Sequence, residues 1–306
     1  MRGAGVEKAR LIKGVGGLYT VKTESGELFF CRAKGAFRKE GMRPLPGDFV
    51  AVERQKEGDA LITDILPRKN ALIRPAGANL DRMILVFAAE KPDPDLFLLD
   101  KMTAVARHNQ IETVLLINKT DLNPDKAAEY KTLYEKAGFS VYLFSALHAE
   151  QYGDTVEKLR ETVSVGVSFF AGASGVGKSG TISALYPSLA AEAKTGAISE
   201  KIGRGKHTTR KTELFPIGEN GYIADTPGFS MLEIARFNLI PKNGLLHAFP
   251  DIEAFSTHCR YHDCTHTKEE GCGVIKAVAD GLLPPSRHES FVQLFDELKN
   301  THEWDT

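Results

Sequence analysis

The sequence predicts three domains: a small β-barrel, a central α/β domain with a mostly parallel sheet, and a small helical domain that binds a metal ion. Three observations in the 306 residues support this fold class. Short strand-like runs fill residues 10–65, strand and helix patterns alternate from about residue 71, and three of the four cysteines lie between positions 259 and 272. We place the domains at residues 1–69, 70–232 and 233–306.

The composition is typical of a globular protein, with 42% hydrophobic and 26% charged residues. The longest apolar stretches, such as residues 83–89, are far shorter than the ~20 residues that a membrane-spanning helix needs. The N-terminal residues lack the apolar core of a signal peptide. We therefore expect a cytoplasmic protein without membrane contact, and we expect it to be a monomer.

Charge is unevenly distributed, although the net charge is only −1. Residues 1–70 carry 14 Lys and Arg against 9 Asp and Glu, whereas residues 230–306 carry 7 against 12. A basic first domain is typical of a nucleic-acid surface, but an excess of this size also occurs on an ordinary solvated face. Charge alone leaves both interpretations open.

The first domain is predicted to be a five-stranded barrel. Strand-like residues occur in four runs, at residues 18–21, 28–31, 48–52 and 60–63, with glycines and prolines between them. Short strands at close intervals with little helix favour a barrel. Five strands and a basic surface make the OB-fold the preferred type.

The central domain alternates strands with helices. Apolar runs predict strands at residues 83–88, 114–117, 141–144, 168–170 and 222–224. Helical patterns lie near residues 95–108, 126–137, 154–162 and 178–186. This alternation favours a mostly parallel sheet with helices on both faces, in which ligands bind beyond the carboxyl ends of the strands.

A glycine-rich loop follows the fourth of these strands and opens the fourth helix. It reads G-x-x-x-x-G-K-S, a pattern in which backbone N–H groups surround a phosphate chain. We expect Lys178 to reach the β- and γ-phosphates and the Ser179 hydroxyl to bind Mg²⁺. The predicted phosphate-binding residues are Gly172, Ala173, Ser174, Gly175, Val176, Gly177, Lys178, Ser179 and Gly180.

Two motifs earlier in the chain predict recognition of guanine. Asn118, Lys119, Thr120 and Asp121 follow one strand, and Ser145 and Ala146 follow the next. The Asp121 carboxylate can accept hydrogen bonds from N1–H and the exocyclic amine of guanine, whereas adenine would leave it unsatisfied at a cost of ~1–3 kcal/mol. Each motif alone is also compatible with an ordinary polar loop.

Two further segments are predicted to complete the phosphate and Mg²⁺ site. Asp225 ends the last strand, where a carboxylate can act on Mg²⁺, and Gly228 can offer its N–H to the γ-phosphate. Residues 203–210 are basic and flanked by glycines, as is typical of a switch loop. Either Thr208 or Thr209 is the candidate for sensing Mg²⁺.

Phe229 occupies the position where many GTPases have a Gln that orients the attacking water. Because its side chain cannot form hydrogen bonds, we expect slow intrinsic hydrolysis. His207, in the predicted switch loop, is our candidate catalytic residue, since a histidine can accept or donate a proton near neutral pH. A structural or RNA-facing histidine is the alternative.

The third domain contains a compact set of metal-ligand residues: Cys259, Cys264, His266 and Cys272. Three thiolates and one imidazole suit tetrahedral Zn²⁺, and four protein ligands leave no open position for water, which predicts a structural site. His258 and His262 are rival ligands that spacing does not exclude. Cys31 lies far away in a predicted barrel strand and is interpreted as a small buried apolar residue.

The order of the nucleotide motifs is the most informative feature of the chain. The guanine motifs precede the phosphate loop, whereas ordinary GTPases have the opposite order, and this indicates a circularly permuted P-loop GTPase. With this order, the segments at 203–210 and 225–230 and the Cys/His spacing, the chain resembles the ribosome small-subunit-dependent GTPase A (RsgA) family, also called YjeQ or YloQ, throughout its length.

The resemblance implies an OB-fold, a permuted GTPase domain and a zinc-binding helical domain that together bind the 30S subunit and its 16S rRNA late in maturation. It also implies slow GTP hydrolysis that the subunit stimulates, with His207 at the position of the family's switch histidine. Gly180 departs from the family, in which Ser is common at this position. A glycine in the opening turn of a helix weakens the helix by up to ~1 kcal/mol.

Two other classes of function remain open. A P-loop kinase or ATPase acting on a small molecule is disfavoured by Asp121. A zinc-containing RNA-binding protein, whose nucleotide site has no significant turnover, is compatible with Phe229. A further hypothesis is that GTP sets the angle between the first and third domains, because the permutation places residues 225–228 next to the start of the third domain.

Overall fold

The computed structural model describes residues 6–35, 37, 42–54, 60–189, 212–226 and 239–299. Its contacts divide the chain into two compact units. The first contains Met1–Arg82, Lys158–Ala171 and Leu185–Pro227, and the second contains Met83–Glu157, Gly172–Ala184 and Gly228–Thr306. Each unit is therefore assembled from three separate stretches of sequence. The domain boundaries placed after residues 69 and 232 stay predictions.

The N-terminal part of the first unit is a closed barrel with the strand order β1-β2-β3-β5-β4. Its strands are β1 (Val6–Val15), β2 (Leu18–Thr23), β3 (Leu28–Ala33), β4 (Phe49–Arg54) and β5 (Ala60–Ile65). Strands β3 and β5 pair in parallel, and the other neighbours pair antiparallel. Leu11, Val21, Val50 and Ile62 lie in its core. The predicted OB-like barrel is confirmed, and its first strand was not among the four predicted runs.

The first unit also joins the barrel to a strand pair from the α/β part of the chain. The side chain of Lys13 in β1 lies 3.3 Å from the Glu213 carboxylate. The backbone N–H of Leu214 donates to the carbonyl of Ile12 at 3.1 Å. Strand β1 therefore pairs within the barrel and also contacts residues 213 and 214, which precede the strand at Phe215–Ile217.

The α/β part contains a six-stranded sheet with the order β10-β9-β8-β11-β13-β12. Its strands are β8 (Arg82–Ala88), β9 (Glu112–Asn118), β10 (Ser140–Leu143), β11 (Val165–Ala171), β12 (Phe215–Ile217) and β13 (Asn220–Asp225). Strand β9 pairs in parallel with β10, and β11 with β13, whereas β12 is antiparallel to β13. The sheet is mostly parallel, as predicted. A short hairpin, β6 (Ala71–Ile73) and β7 (Ala76–Ala78), was not predicted.

Seven α-helices are present among the described residues. They are α1 (Leu96–His108), α2 (Pro124–Lys136), α3 (Gly153–Val163), α4 (Lys178–Leu185), α5 (Pro250–Ser256), α6 (Gly273–Ala279) and α7 (Pro285–Lys299). Local sequence explains two of the starts: the Asp95 side chain accepts from the N–H of Leu98 at 3.0 Å, and that of Asn123 accepts from Lys126 at 3.1 Å. Such caps satisfy N–H groups that have no partner within the helix.

One buried carboxylate fixes the loop that enters β4. Asp48 is completely buried and binds Arg68 through the Nε at 2.6 Å and an Nη at 2.7 Å. It also accepts the backbone N–H of Leu45 at 2.7 Å. Because all three donors face the two carboxylate oxygens, the residue at position 48 has to carry two acceptors.

Replacing Asp48 by Asn should lower the free energy of unfolding by about 2 kcal/mol, because the amide turns a donor toward Arg68 and Leu45. Urea unfolding of the variant and the parent measures this difference. Glu27→Gln is the matched control, since it weakens the exposed Glu27–Arg54 pair, and exposed pairs contribute little to stability. A loss at Asp48 no larger than that at Glu27 would contradict the argument.

Candidate nucleotide and metal sites

The phosphate loop lies between the end of β11 at Ala171 and the start of α4 at Lys178. Lys178 is buried, with an exposed fraction of 8%. Its Nζ donates to the carbonyls of Gly172 at 3.0 Å and Ala173 at 2.8 Å. The loop thus wraps around its own ammonium group, which gives the loop a cationic centre suited to a phosphate chain.

Two glycines of this loop have no room for a side chain. Gly172 has φ +149° and Gly177 has φ +95°, both in the region that favours glycine. A Cβ on Gly172 would lie 2.0 Å from the carbonyl oxygen of Val86, and one on Gly177 would lie 2.1 Å from Nδ2 of Asn118. The loop is therefore packed directly against β8 and against the predicted guanine motif.

Asn118 joins the sequence-predicted motifs in space. Its side chain is buried, and Nδ2 donates to the carbonyl of Val176 in the phosphate loop at 2.8 Å. Its Oδ1 accepts the backbone N–H of Ala146 at 2.9 Å. Its backbone carbonyl accepts the N–H of Ala89, just after β8, at 2.9 Å. Motifs far apart in the sequence therefore meet at one amide group, as their positions at strand ends predicted.

The next two residues of the predicted guanine motif, Lys119 and Thr120, also donate side-chain hydrogen bonds to backbone carbonyls. Lys119 has φ +58°, and its Nζ donates to the carbonyl of Lys91. The Thr120 hydroxyl donates to the carbonyl of Phe144 at 3.0 Å, immediately before Ser145. Both loops that follow β9 and β10 are thus fixed by side chains of the motif itself.

Two other residues of the predicted guanine motifs have side chains with different surroundings. The Ser145 hydroxyl is buried and has no hydrogen-bond partner within the described part of the chain. Asp121 is exposed. A buried hydroxyl without a partner costs free energy, so a bound ligand that satisfies it is favoured.

The Mg²⁺ residues are located in part. Asp225 ends β13, opposite Phe170 of β11 in the parallel register. The following residue, Thr226, donates through both its N–H and its hydroxyl to the Phe170 carbonyl, at 3.2 and 2.8 Å. Ser179 lies in the first turn of α4. The predicted residues His207, Thr208, Thr209, Gly228 and Phe229 lie outside the described residues.

The four predicted metal ligands converge in the second unit. The donor atoms of Cys259, Cys264, His266 and Cys272 all lie within 4.8 Å of one another. Sγ of Cys259 is 3.4 Å from Nδ1 of His266 and 3.8 Å from Sγ of Cys272, and the latter is 3.7 Å from the same Nδ1. A tetrahedral zinc ion holds such atoms about 3.5–3.8 Å apart, so the donor set fits zinc. The rival histidines at 258 and 262 are not part of this cluster.

Backbone geometry and a carboxylate support the metal-ligand loop. His266 has φ +60°, which is uncommon for a residue with a side chain. Glu269 accepts the N–H groups of Thr265 at 2.9 Å and Lys268 at 3.1 Å, and also the Thr265 hydroxyl. Burial raises the pKa of Glu269, but these hydrogen bonds outweigh it and lower the pKa to about 2. The carboxylate is therefore charged, and holds the loop, at any ordinary pH.

Sequence reasoning missed a buried polar cluster beside this loop. Arg287 in α7 has a completely buried side chain that binds Asp100 in α1 and Asp251 in α5. Its neighbour His288 binds the backbone of the metal-ligand loop. An arginine in an amphipathic helix usually faces solvent, so residue type and spacing gave no signal for either interaction.

None of the helices in the described residues is both long enough and apolar enough to cross a membrane.

Two family models and several named proteins match this chain. The family model described as RsgA GTPase matches residues 65–235, and the model described as RsgA N-terminal domain matches residues 8–62. A protein of Caldanaerobacter subterraneus subsp. tengcongensis, named small ribosomal subunit biogenesis GTPase RsgA, is 42% identical over 95% of this chain and 96% of its own length. A protein of the same name from Halalkalibacterium halodurans is 40% identical, with 96% and 98% covered.

Solved structures show the same similarity. YjeQ from Thermotoga maritima superposes with a TM-score of 0.76 at 31% identity, covering 97% of this chain and all of that one. YloQ, described as a circularly permuted GTPase, superposes with a TM-score of 0.75 at 32% identity, covering 99% of this chain and 98% of that one. The permuted order read from the motifs is therefore shared with a known structure.

Replacing Gly177 by Ala should reduce guanine-nucleotide affinity at least tenfold, because the added Cβ would displace the Asn118 amide. Titration of the variant with a fluorescent GDP analogue measures the affinity. An affinity within a factor of two of the parent would show that the loop can move away from Asn118.

Gly180→Ala is the matched control in the same segment. A Cβ there would meet the Ala146 Cβ at 3.4 Å, which is an ordinary contact. Because alanine favours a helix over glycine by up to ~1 kcal/mol, this variant should unfold at a temperature a few degrees higher. Gly180 can contribute to phosphate binding only through its backbone, which alanine retains, so the GDP affinity of this variant should stay within about twofold of the parent. A lower unfolding temperature would show that contact with Ala146 is unfavourable.

Proposed function

Because the chain belongs to the RsgA GTPase family, we propose that it binds the 30S ribosomal subunit and assists its late maturation, hydrolysing GTP to GDP and phosphate with stimulation by the subunit. The observation that carries the nucleotide part is the Asn118 amide, which joins the phosphate loop to the guanine loop. The subunit part is supported by relatives that match nearly the whole chain and are named for small ribosomal subunit biogenesis.

We assign the nucleotide roles as follows. Guanine is read by Asn118, Lys119, Thr120, Asp121, Ser145 and Ala146, and the phosphates are held by residues 172–180. Mg²⁺ is bound by Ser179 and Asp225, with either Thr208 or Thr209 as its sensor. Lys178 and Gly228 stabilise the charge that develops on the γ-phosphate. The close fit of the loop around the Lys178 ammonium supports this assignment.

The metal-ligand cluster is proposed to hold one structural Zn²⁺ ion. Cys259, Cys264, His266 and Cys272 supply four ligands, so the ion has no open position for a reacting water. Additional support comes from the N–H of Gly273, which donates to Sγ of Cys259 at 3.3 Å and stabilises negative charge on that sulfur. The ion would then stabilise the helical module at residues 239–299.

The barrel is proposed to contact 16S rRNA. On its outer surface Phe30 has an exposed fraction of 65%, Leu18 45% and Leu28 57%. Arg32 pairs with Leu18 in the β2–β3 ladder, and Lys22 pairs with Leu28. Arg32 is exposed and Lys22 is half-buried; aromatic and basic side chains that share a barrel face can stack on bases and attract phosphates. A protein with this partner acts in the cytoplasm, and we propose that it acts as a monomer.

Asp121→Asn tests guanine recognition. The amide presents only one acceptor to the two donors of guanine, so GDP affinity should fall at least tenfold, whereas xanthosine diphosphate should bind more tightly than to the parent. Competition binding with both nucleotides measures the change. Asp125→Asn is the matched control, because Asp125 is exposed on α2 and should leave both affinities unchanged. Equal losses for both nucleotides would refute the assigned contact.

The decisive experiment for the proposed function is GTP hydrolysis by the full chain with and without 30S subunits. We expect slow turnover alone, because Phe229 cannot orient water, and strong stimulation by 30S subunits. ATP and 50S subunits serve as controls and should give no stimulated turnover. If no ribosomal particle stimulates hydrolysis, the subunit role is wrong; RNA binding without turnover would then favour the alternative of a nucleotide-regulated RNA-binding protein.

His207→Ala tests the catalytic assignment under the same conditions. We propose that His207 positions or activates the attacking water in place of the missing Gln. The variant should lose most of its stimulated turnover and retain its GTP affinity within about twofold. Loss of affinity instead of turnover would assign His207 to nucleotide binding.

A further inference from the structure

Helix α7 carries two adjacent residues that contact different parts of the second unit. The Arg287 guanidinium binds both oxygens of Asp251 in α5, at 2.9 Å each. Its remaining Nη1 donates to Oδ1 of Asp100 in α1 at 2.7 Å and lies 3.3 Å from the Thr103 hydroxyl. The side chain is completely buried. Separating α7 from α1 would leave buried charges unpaired, so these ion pairs hold the three helices together.

The next residue contacts the metal-ligand loop. Nε2 of His288 lies 2.6 Å from the backbone carbonyl of His266. Because a carbonyl can only accept, Nε2 carries the proton and donates it. The same His266 has φ +60°, and its ring lies 6.2 Å from that of Phe291, one turn further along α7. His288 therefore helps to hold a metal ligand in an uncommon backbone conformation.

Helix α1 continues this set of contacts to the guanine motif. The segment between β8 and α1 contains Ala89, whose N–H donates to the Asn118 carbonyl at 2.9 Å. It also contains Lys91, whose carbonyl accepts from the Lys119 side chain. Glu90 accepts from Nδ2 of Asn123 at 3.0 Å. The chain that leads from β8 into α1 is thus fixed to the loop that follows β9.

We propose that Arg287 and His288 are positioning residues that couple the zinc loop to helix α1, so that zinc and guanine nucleotide bind cooperatively. Zinc fixes the backbone around His266, His288 transmits this order to α7, and Arg287 transmits it to α1 and the guanine motif. Linkage requires the effect to be reciprocal: zinc raises nucleotide affinity by the same factor by which nucleotide raises zinc affinity. This inference is independent of any action on the ribosome.

The test measures GDP affinity of the full chain with one bound zinc and after removal of zinc by a chelator. The affinity of the parent should fall about fivefold when zinc is removed. In His288→Ala, zinc affinity, measured by competition with a chromophoric chelator, should fall about tenfold, and GDP affinity should no longer respond to zinc. His288→Gln retains a donor and should restore part of both effects. His262→Ala, an exposed histidine in the same loop, should behave as the parent.

Equal GDP affinity of the parent with and without zinc would overturn the coupling. Unchanged zinc affinity in His288→Ala would overturn the positioning role. If the zinc-free parent unfolds, the zinc-loaded Arg287→Lys variant provides the test. This variant should still bind one zinc ion, but its GDP affinity should be at least threefold weaker than that of the parent. A GDP affinity equal to that of the parent would refute the inference. If metal analysis finds no zinc in the purified parent, the zinc assignment is wrong. That outcome would not affect the proposal that the protein acts on the ribosomal subunit.

Discussion

The nucleotide site depends on one side chain, the buried amide of Asn118. Its two polar atoms bind backbone groups of the phosphate loop and the guanine loop, at Val176 and Ala146. Hydrogen bonds depend on geometry and do not depend on chain order, so a chain with permuted motifs can build the same arrangement from strands in a different sequence order. Gly177 shows how tightly this arrangement is packed, because no Cβ fits between the loop and the amide.

Backbone N–H groups are the donors that both candidate sites can offer to acceptor groups. In the metal-ligand loop, Glu269 and the Cys259 sulfur receive such donors, and in the phosphate loop the glycine-rich backbone is suited to surround phosphates. Backbone donors add no side-chain entropy cost, since the chain is already ordered. Elsewhere in the second unit a side-chain cation binds carboxylates: the buried Arg287 guanidinium pairs with Asp100 and Asp251 from two other helices.

Much of the fold and the core of each site could be predicted because the signals are local. Strand patterns followed by short motifs predicted that Asn118 and Asp225 end strands and that Lys178 begins a helix, and the structure has them there. The Cys/His spacing predicted a cluster that the structure also contains. The hairpin at residues 71–78 was missed because three-residue strands leave too short a pattern. The Arg287 cluster was missed because its partners lie far away in sequence, and spacing carries no information about such contacts.

The permuted order also determines the sequence of events during synthesis. Val176 follows Asn118 by 58 residues, and chains elongate at about 5–20 residues per second, so the guanine-reading loop exists for roughly 3–12 s before its phosphate-loop partner is made. In an ordinary GTPase the phosphate loop is made first. Here strands β8, β9 and β10 are made before the phosphate loop, so a nucleotide can contact both loops only after the later half of the sheet has been synthesised.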